Sequence, residues 1–402
     1  MKSIVVIGGG AAGFFGAVTC AEANPSAKVI LLEKNNALLS KVRVSGGGRC
    51  NVTHACFNPK ELVENYPRGH KELLAPFYRF QPKDTIAWFE KRGVPLKTEA
   101  DGRMFPITDS SETIIECLRQ EAAKTGVEIR CLQKIEKIEK HDQHFEIFFV
   151  NGEKLACSSL LLATGSNKEG HQLAESLGHS LIESVPSLFT FNIPNSPLKD
   201  LAGISVNPAV VHLEGVKLQQ QGPLLITHWG FSGPAVLKLS AWEARRLHGL
   251  DYQANLLINW IPEYTQNDLF SHFLKIKDEN PHQNISNTNF PSIPKQLWKS
   301  LLIRSDIDPQ KKMRELSNKM LHQLAKMLQN DSYKINGKTT YKQEFVTCGG
   351  IPLNEVNFKT MESRKTPGLY FAGEILDIDA VTGGFNFQNA WTTGWIAGNS
   401  MS

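Results

Sequence analysis

Residues 2–13 read KSIVVIGGGAAG, an apolar run that passes directly into Gly8-x-Gly10-x-x-Gly13. A second apolar run, VILLEK, then delivers Glu33 at its end. Strand, glycine turn, helix, strand and acid in that order predict a β-α-β dinucleotide cradle over residues 2–33. Gly8 allows the tight turn, Gly10 lets backbone approach a pyrophosphate, and Gly13 lets the helix pack on the strand. A helix starting near Ala11, with Ala12 in its first turn, aims free N–H groups and its positive end at the phosphates. Glu33 stands where a carboxylate accepts ribose hydroxyls, with Lys34 beside it. A tight turn that binds nothing is the bland alternative. The flanking strand, helix and acid argue against it.

The bulk composition sets limits around this cradle. A chain of 402 residues is long enough for two or three domains with a buried core. With 41% hydrophobic and 21% charged residues it reads as an ordinary globular protein. No stretch approaches the eighteen apolar residues of a membrane span. The first residues read as a structural strand rather than a leader peptide. Seven cysteines, scattered and without a Cys-x-x-Cys, argue for reduced thiols in the cytoplasm. They also argue against a zinc site, so no metal is expected.

The net charge is only +4, but the excess is local. Between residues 295 and 326, eight basic side chains face three acids. The basic set is Lys295, Lys299, Arg304, Lys311, Lys312, Arg314, Lys319 and Lys326. Such a stretch is either a phosphate-facing surface or a solvated helix face.

Residues 131–165 predict a meander: CLQKIEKIEK, HFEIFFV, an Asn151-Gly152 turn, KLAC and SSLLLATG. The last strand is apolar throughout, as a buried parallel strand is, and ends in Ala163-Thr164-Gly165. The composition changes after Pro186. The domains expected are a cofactor-binding domain over 1–190, an insert over 191–340, and a return to the first domain over 341–402. Within the insert, 191–260 reads as β-rich and 261–340 as helical, with helices near 264–280 and 309–329. Met320, Leu321, Leu324, Met327 and Leu328 recur at helical spacing and read as core. HQNISNTNFPSIP, residues 282–294, reads as an exposed loop.

Two more glycine-rich blocks carry chemistry. From Thr366 the chain reads TPGLYFAGEILDIDAVTGGFNFQNAWTTGWIAG. A short strand delivers Gly373-Glu374, and Gly383-Gly384 then open a helix over about 386–398. This resembles the second fingerprint of FAD-binding oxidoreductases. There the acid meets the ribityl chain and a helix N-terminus faces the flavin pyrimidine, where reduced flavin carries negative charge. The third block, SKVRVSGGGRCNVTH (40–54), offers three glycines for close approach to a flat ligand or phosphate oxygens. Lys41, Arg43 and Arg49 add positive charge to it.

Together GGGAAG, SGGGRCNVTH, LLATG, THWGFSGPAVL, VTCGGI, ESRKTPGLYFAGEILDIDAVTGGFNFQNA and TTGWIAG closely resemble the BaiN-like, or aminoacetone-oxidase-like, family of FAD-dependent flavoproteins. The resemblance covers nearly the whole chain. It implies an α/β fold, a Rossmann-type FAD domain of the glutathione-reductase class, interrupted by a β-barrel-like and helical insert. It also implies tightly held FAD, with NAD(P)H as a transient electron donor. No second Gly-x-Gly-x-x-Gly follows a strand, so no separate nicotinamide domain is expected.

Carried over residue by residue, Gly8, Gly10, Ala11, Ala12, Gly13, Glu33 and Lys34 are implied to hold the ADP half. Gly47, Gly48, Arg49, Cys50 and Asn51 are implied to line the isoalloxazine. Gly373, Glu374, Gly384, Phe385, Asn386 and Phe387 are implied at the ribityl chain and pyrimidine edge. Lys41 and Ala163-Thr164-Gly165 complete the expected cofactor set. Two features depart from the family: the loop after Gly165 is several residues shorter, and Phe385 and Phe387 replace the commoner Tyr and Leu.

The candidate catalytic residues are Arg49, Cys50 and His228, each with a plainer alternative. Arg49 neutralises reduced flavin or grips an acidic substrate, or else forms a surface ion pair. Cys50 is a redox thiol or a small residue packed beneath the ring. His228, and equally His54, is a general acid or a structural side chain. Trp229 and Phe231 stack on a planar substrate or fill the insert's core.

The expected function is flavin-dependent reduction of a conjugated C=C driven by NAD(P)H. The substrate is uridine in large-subunit ribosomal RNA, reached through the basic 295–326 stretch, or a small enone. The alternatives are an O2-using amine or aminoketone oxidase and, in a different class, a flavin-binding protein without turnover.

Overall fold

The apolar run Ser3–Ile7 forms strand β1, and all but its first residue is buried. It pairs in parallel with β2 (Lys28–Leu32) on one side and β4 (Ser159–Leu162) on the other. The registers place Ile7 opposite Leu32 and Leu162. Beyond β2 lies β3 (Glu128–Arg130), and beyond β4 lies β12 (Leu369–Phe371), both parallel. Helices cover such a sheet on both faces, so its central strands are apolar without alternation. The sheet order β12-β4-β1-β2-β3 is extended by two short antiparallel strands, Glu362–Ser363 and Val356–Asn357, beyond β12. The chain steps outward from β1 through β2 to β3, then returns to β4 on β1's other side. This reversal makes a crevice beyond the carboxyl ends of β1 and β4, the place where open α/β sheets bind ligands.

In this computed structural model residues 2–288, 290–339 and 346–401 are described. They fall into two units, residues 2–187 with 346–401, and residues 188–339. The expected boundary at 340/341 lies outside the described residues.

In the first unit, helix α1 (Ala11–Ala23) packs against the last helix, α4 (Phe385–Ser400). A Cβ on Gly394 would come within 2.7 Å of the Ala12 carbonyl oxygen, and one on Gly398 within 2.6 Å of that of Gly16. The glycines of TTGWIAG therefore set how closely these helices approach. The meander's first three strands, Ile135–Lys140, Phe145–Phe149 and Lys154–Cys157, form a separate antiparallel sheet, with Gly152 at φ +88 in the turn.

The second unit is built on a seven-stranded antiparallel sheet. Its strands are β5 (Thr190–Asn192), β6 (Ser205–Leu213), β7 (Gln219–Thr227), β8 (Gly230–Ser232), β9 (Gln253–Asn259), β10 (Asp331–Asn336) and β11 (Lys338–Thr339). The order is β10-β9-β6-β7-β8-β5-β11. Its two outer strands are one run of chain bent at Gly337, φ +98. Gly337 donates to the Tyr252 carbonyl at 2.9 Å and accepts from Asn192 N–H at 3.1 Å. The sheet thus closes on itself, which removes its edges.

Two expectations for the insert are corrected. Residues 331–339 are strand rather than helix, because Ile335 and Tyr333 point into the sheet's core in an alternating pattern. The described residues of the 282–294 segment do not form an exposed loop: Ile285, Phe290 and Ile293 are buried, and Trp298 Nε1 donates to the Ile285 carbonyl at 3.1 Å. Its apolar residues are too widely spaced to show a period, yet each one fills the core. The insert also has helices over Pro234–Trp242 and Ala244–Gly249, inside the stretch read as β-rich, besides those over Gln266–Glu279, Lys295–Arg304 and Asn318–Gln329, the last burying Leu321, Leu324 and Leu328.

Candidate cofactor site

The Gly8–Gly13 turn is shaped by collisions that a side chain would cause. Gly8 has φ +113, and a Cβ there would lie 2.4 Å from the Ala163 carbonyl oxygen. One on Gly13 would lie 1.9 Å from that of Gly8. Gly10 is different: a Cβ there would meet nothing within 4 Å, so its open side has room for a phosphate. α1 begins at this point without a side-chain cap, leaving its first N–H groups for a ligand. Glu33 closes the cradle, with Oε2 accepting from Gly9 N–H at 2.8 Å and Oε1 from Asn35 N–H at 2.9 Å. Oε1 also accepts from the Asn35 side-chain amide at 3.1 Å, so Oε2 is the oxygen that keeps a lone pair for a ribose hydroxyl, and the fixed negative charge disfavours a 2′-phosphate there.

The Ser40–Gly48 segment (α2) is helical only through Val44, because Ser45, Gly46 and Gly47 leave helical geometry. Gly47 and Gly48 have φ +69 and +86, and a Cβ on either meets nothing within 4 Å. Three glycines in the left-handed region make a backbone surface open to a flat ligand. Asn51 ties that surface to the start of α4, donating to the Thr53 carbonyl at 3.1 Å and accepting from Gly384 N–H at 3.0 Å. Gly384, φ +94, is required there because a Cβ would lie 2.5 Å from the Thr53 carbonyl oxygen. Next to it, the Phe385 ring stacks on His54 with centroids 4.6 Å apart, and its carbonyl accepts from Tyr66 OH at 2.6 Å.

The geometry brings Lys41 and Glu374 together at 2.5 Å, with Gly165 alongside. Gly373 donates to Thr393 Oγ1 at 2.9 Å, which fixes the loop that carries Glu374. Thr164 follows Ala163 at the crevice floor, and its hydroxyl is buried without a partner among the described residues. Asn386 brackets Ala380, donating to its carbonyl at 3.1 Å and accepting its N–H at 2.9 Å. Phe387 stacks on Trp391 at 5.7 Å. These two side chains therefore support α4's first turn.

Cys50 is fully buried with φ +62, and burial pushes its thiol up to about 12. A thiol in that state is inert as a nucleophile near neutral pH. Arg49 is held by Glu99 at 2.7 Å and Asp109 at 3.4 Å, with its guanidinium 4.0 Å over the Phe105 ring. Its geometry is that of a partly exposed ion pair. His228 lies in the other unit, exposed at the turn between β7 and β8. Beside it, Trp229 is 38% exposed, with its indole N–H on Thr190 Oγ1 at 3.3 Å, whereas Phe231 is core.

Sequence reasoning missed Glu169, which pairs with Lys34 at 3.1 Å. It also missed the buried Asp379, which Arg68 grips with two nitrogens while Ser187 donates its hydroxyl. Asp379 stands inside the quoted C-terminal block, but nothing in a linear pattern pairs it with Arg68. No helix among the described residues is long and apolar enough to cross a membrane.

The model of the HI0933-like protein Rossmann domain family matches residues 2–400. The ribosomal RNA dihydrouridine synthase of Escherichia coli is 30% identical, over 99% of this chain and 97% of its own length. The 3-dehydro-bile acid delta(4,6)-reductase of Clostridium scindens is 27% identical, over 100% and 99%. Among solved structures, the 3-ketosteroid-delta4-(5alpha)-dehydrogenase of Rhodococcus jostii superposes with a TM-score of 0.52 at 15% identity, covering 100% of this chain and 97% of that one. The 3-ketosteroid delta1-dehydrogenase of Sterolibacterium denitrificans gives 0.53 at 10%, covering 100% and 99%. At that identity the two structures speak for the fold alone. The glycine turn, open at Gly10 and closed by Glu33, fits an ADP moiety, and the family match runs through all three glycine blocks. The chain therefore belongs to the HI0933-like family of Rossmann flavoproteins and is a FAD-dependent oxidoreductase.

Proposed function

We propose that the protein is an NAD(P)H-driven reductase of a C=C bond conjugated to a carbonyl, with uridine in large-subunit ribosomal RNA as its substrate. The observation that carries this reading is chemical. Two relatives matched end to end, one named for dihydrouridine and one for a bile acid delta(4,6) system, share saturation of such a bond. FAD, when bound, supplies the hydride for one carbon from its N5.

The chain's own residues supply binding and charge. Gly8, Gly10, Gly13 and Glu33 hold the ADP half. Gly47, Gly48 and Asn51 present backbone and amide to the ring, and the first turn of α4 favours negative charge at the pyrimidine edge. The other carbon of the substrate bond needs a proton. The Cys50 thiol is too firmly protonated to exchange one readily, and Arg49 is committed to Glu99 and Asp109. Neither side chain is therefore the proposed proton donor.

The exposed cations of the insert favour RNA over a small enone. Lys295, Lys299, Arg314, Lys319 and Lys326 are exposed and make no ion pair among the described residues. Arg304, by contrast, is spent on buried Asp331 at 2.6 Å, where Trp260 and Tyr333 also donate. Each phosphate that these side chains neutralise adds about 0.9 to the slope of log affinity against log salt on duplex RNA, by analogy with B-DNA.

The test is to mix the holoprotein anaerobically with NADH or NADPH, follow the flavin absorbance, then add protein-free ribosomal RNA and measure dihydrouridine by mass. Bleaching by a nicotinamide followed by dihydrouridine formation is the expected result. Bleaching with turnover of an enone and none of RNA moves the substrate to the small-molecule class. Reduction only by an aminoketone, with reoxidation by O2, replaces the reading with an oxidase.

A further inference from the structure

Two ion pairs cross the carboxyl end of the parallel sheet. Lys34 lies just past β2, and its ammonium meets Glu169 at 3.1 Å. Glu169 stands in the first turn of α3 (Lys168–Ser176), the helix that follows β4. Because β1 lies between β2 and β4, this pair spans from one side of the Gly8–Gly13 turn to the other. Two strand spacings amount to about 10 Å, a distance that a lysine and a glutamate cover between them. Lys41 and Glu374 make the second crossing, from α2 after β2 to the loop after β12.

The short loop after Gly165 explains the first crossing. Asn167 caps α3 by accepting from Glu169 N–H at 2.9 Å, only two residues beyond the glycine that ends the ATG turn. That places Glu169 at the rim of the crevice, level with Lys34. A longer glycine-rich loop would carry the start of α3 away from it.

We propose that Lys34 and Glu169 form a clasp over the ADP half of the cofactor and that the clasp slows FAD release. The proposal rests on the FAD assignment and adds Glu169 to the residues that hold the group. Both side chains are partly exposed, 37% and 56%, so the pair is weak and sensitive to salt. A surface pair of this kind corresponds to about a twofold to fivefold change in a rate.

The experiment measures FAD release from diluted holoprotein by the rise in flavin fluorescence. The proteins are the parent, Glu169→Gln, Lys34→Met and the double variant, each at about 20 mM and about 1 M salt. The clasp requires each single variant to release FAD about two to five times faster at low salt, the double variant to be no faster than either, and all four to converge at high salt. Glu169 also sits at a helix N-terminus, so its loss alone weakens α3 slightly. If Glu169→Gln accelerates release and Lys34→Met does not, the effect belongs to the helix and the clasp is overturned. Unchanged release in both, or additive effects, overturns it equally. Parent protein that holds no FAD would instead refute the cofactor assignment, a result visible before any variant is made.

Discussion

The two units lean on different means, although Gly230 of the insert also stands where a Cβ would come 2.1 Å from the Phe191 carbonyl oxygen. In the cofactor-binding unit, Gly8, Gly13, Gly384 and Gly394 stand where a Cβ would press into backbone, so close approach of main chain to main chain sets the geometry. In the insert, Phe231, Trp260, Leu324 and Tyr333 fill a closed sheet, and the buried carboxylate of Asp331 is met by three donors. Both units keep some polar atoms buried without partners among the described residues, Thr164 Oγ1 and both amide atoms of Asn389 in the first, His212 Nδ1 and Thr288 Oγ1 in the insert. The lesson is one of emphasis. The insert rests chiefly on side-chain packing, whereas the first unit brings backbone close to backbone around a crevice.

The sharpest way to break this contrast is to place a methyl group at two glycines of the same turn. Gly13→Ala drives Cβ into the Gly8 carbonyl and is expected to destabilise the apoprotein by about 3 kcal/mol, read by thermal unfolding. Gly10→Ala has free space and ordinary φ, so the apoprotein should melt like the parent while FAD affinity falls at least about tenfold. Equal effects on melting would mean that Gly10 is structural.

In the insert, Leu324→Ala is expected to cost about 2–5 kcal/mol in denaturant unfolding while the flavin spectrum of the folded protein stays as in the parent. Loss of FAD from the folded variant would show that the units are not independent in this respect.

A third effect appears in acid. Burial pushes the Glu355 carboxyl up, but Lys365, Ser180 and His179 outweigh it and hold the group at about 2. A folded pKa below the unfolded one contributes stability at higher pH, which is lost as pH falls from the ordinary 4.5 toward about 2. His179, its pKa lowered by burial, acts with the same sign and starts to cost stability below its ordinary 6.5. Melting temperature should therefore drop in two stages on acidification, and Glu355→Gln should flatten the lower one.

The smallest effect expected is at Asn389, which lies in α4 with no hydrogen-bond partner for either amide atom among the described residues. Replacing it with Leu removes two orphaned groups at similar volume, so stability should stay within about 1 kcal/mol of the parent or rise. A loss of several kcal/mol would indicate a buried water or ligand on that amide.

The cradle was legible because its constraints are local. Gly8, Gly10, Gly13 and Glu33 act within one β-α-β unit, and their spacing is the geometry itself. The curved sheet of the insert was legible only in part. Short apolar runs marked β-structure at 191–260, but 331–339 carries a strand pattern that follows a helix and closes a sheet begun 140 residues earlier. Ile285, Phe290 and Ile293 lie in a polar segment with a proline, so no period betrayed their burial. The Cys50 thiol and the Arg49 guanidinium looked reactive by residue type. Burial and the acids Glu99 and Asp109, respectively, show what they do in the fold.

By itself the sequence determined the nucleotide fold and the class of cofactor, since glycine spacing, an acid and strand apolarity are short-range requirements on backbone conformation. Tertiary structure alone decided which charges meet across the crevice, Lys34 with Glu169 and Lys41 with Glu374. It alone decided that Arg68 meets Asp379 and that the insert's sheet closes through Gly337. Those partners are separated by 85 or more residues in the chain, and only the strand order brings them within the few ångströms over which charge and hydrogen bonding act.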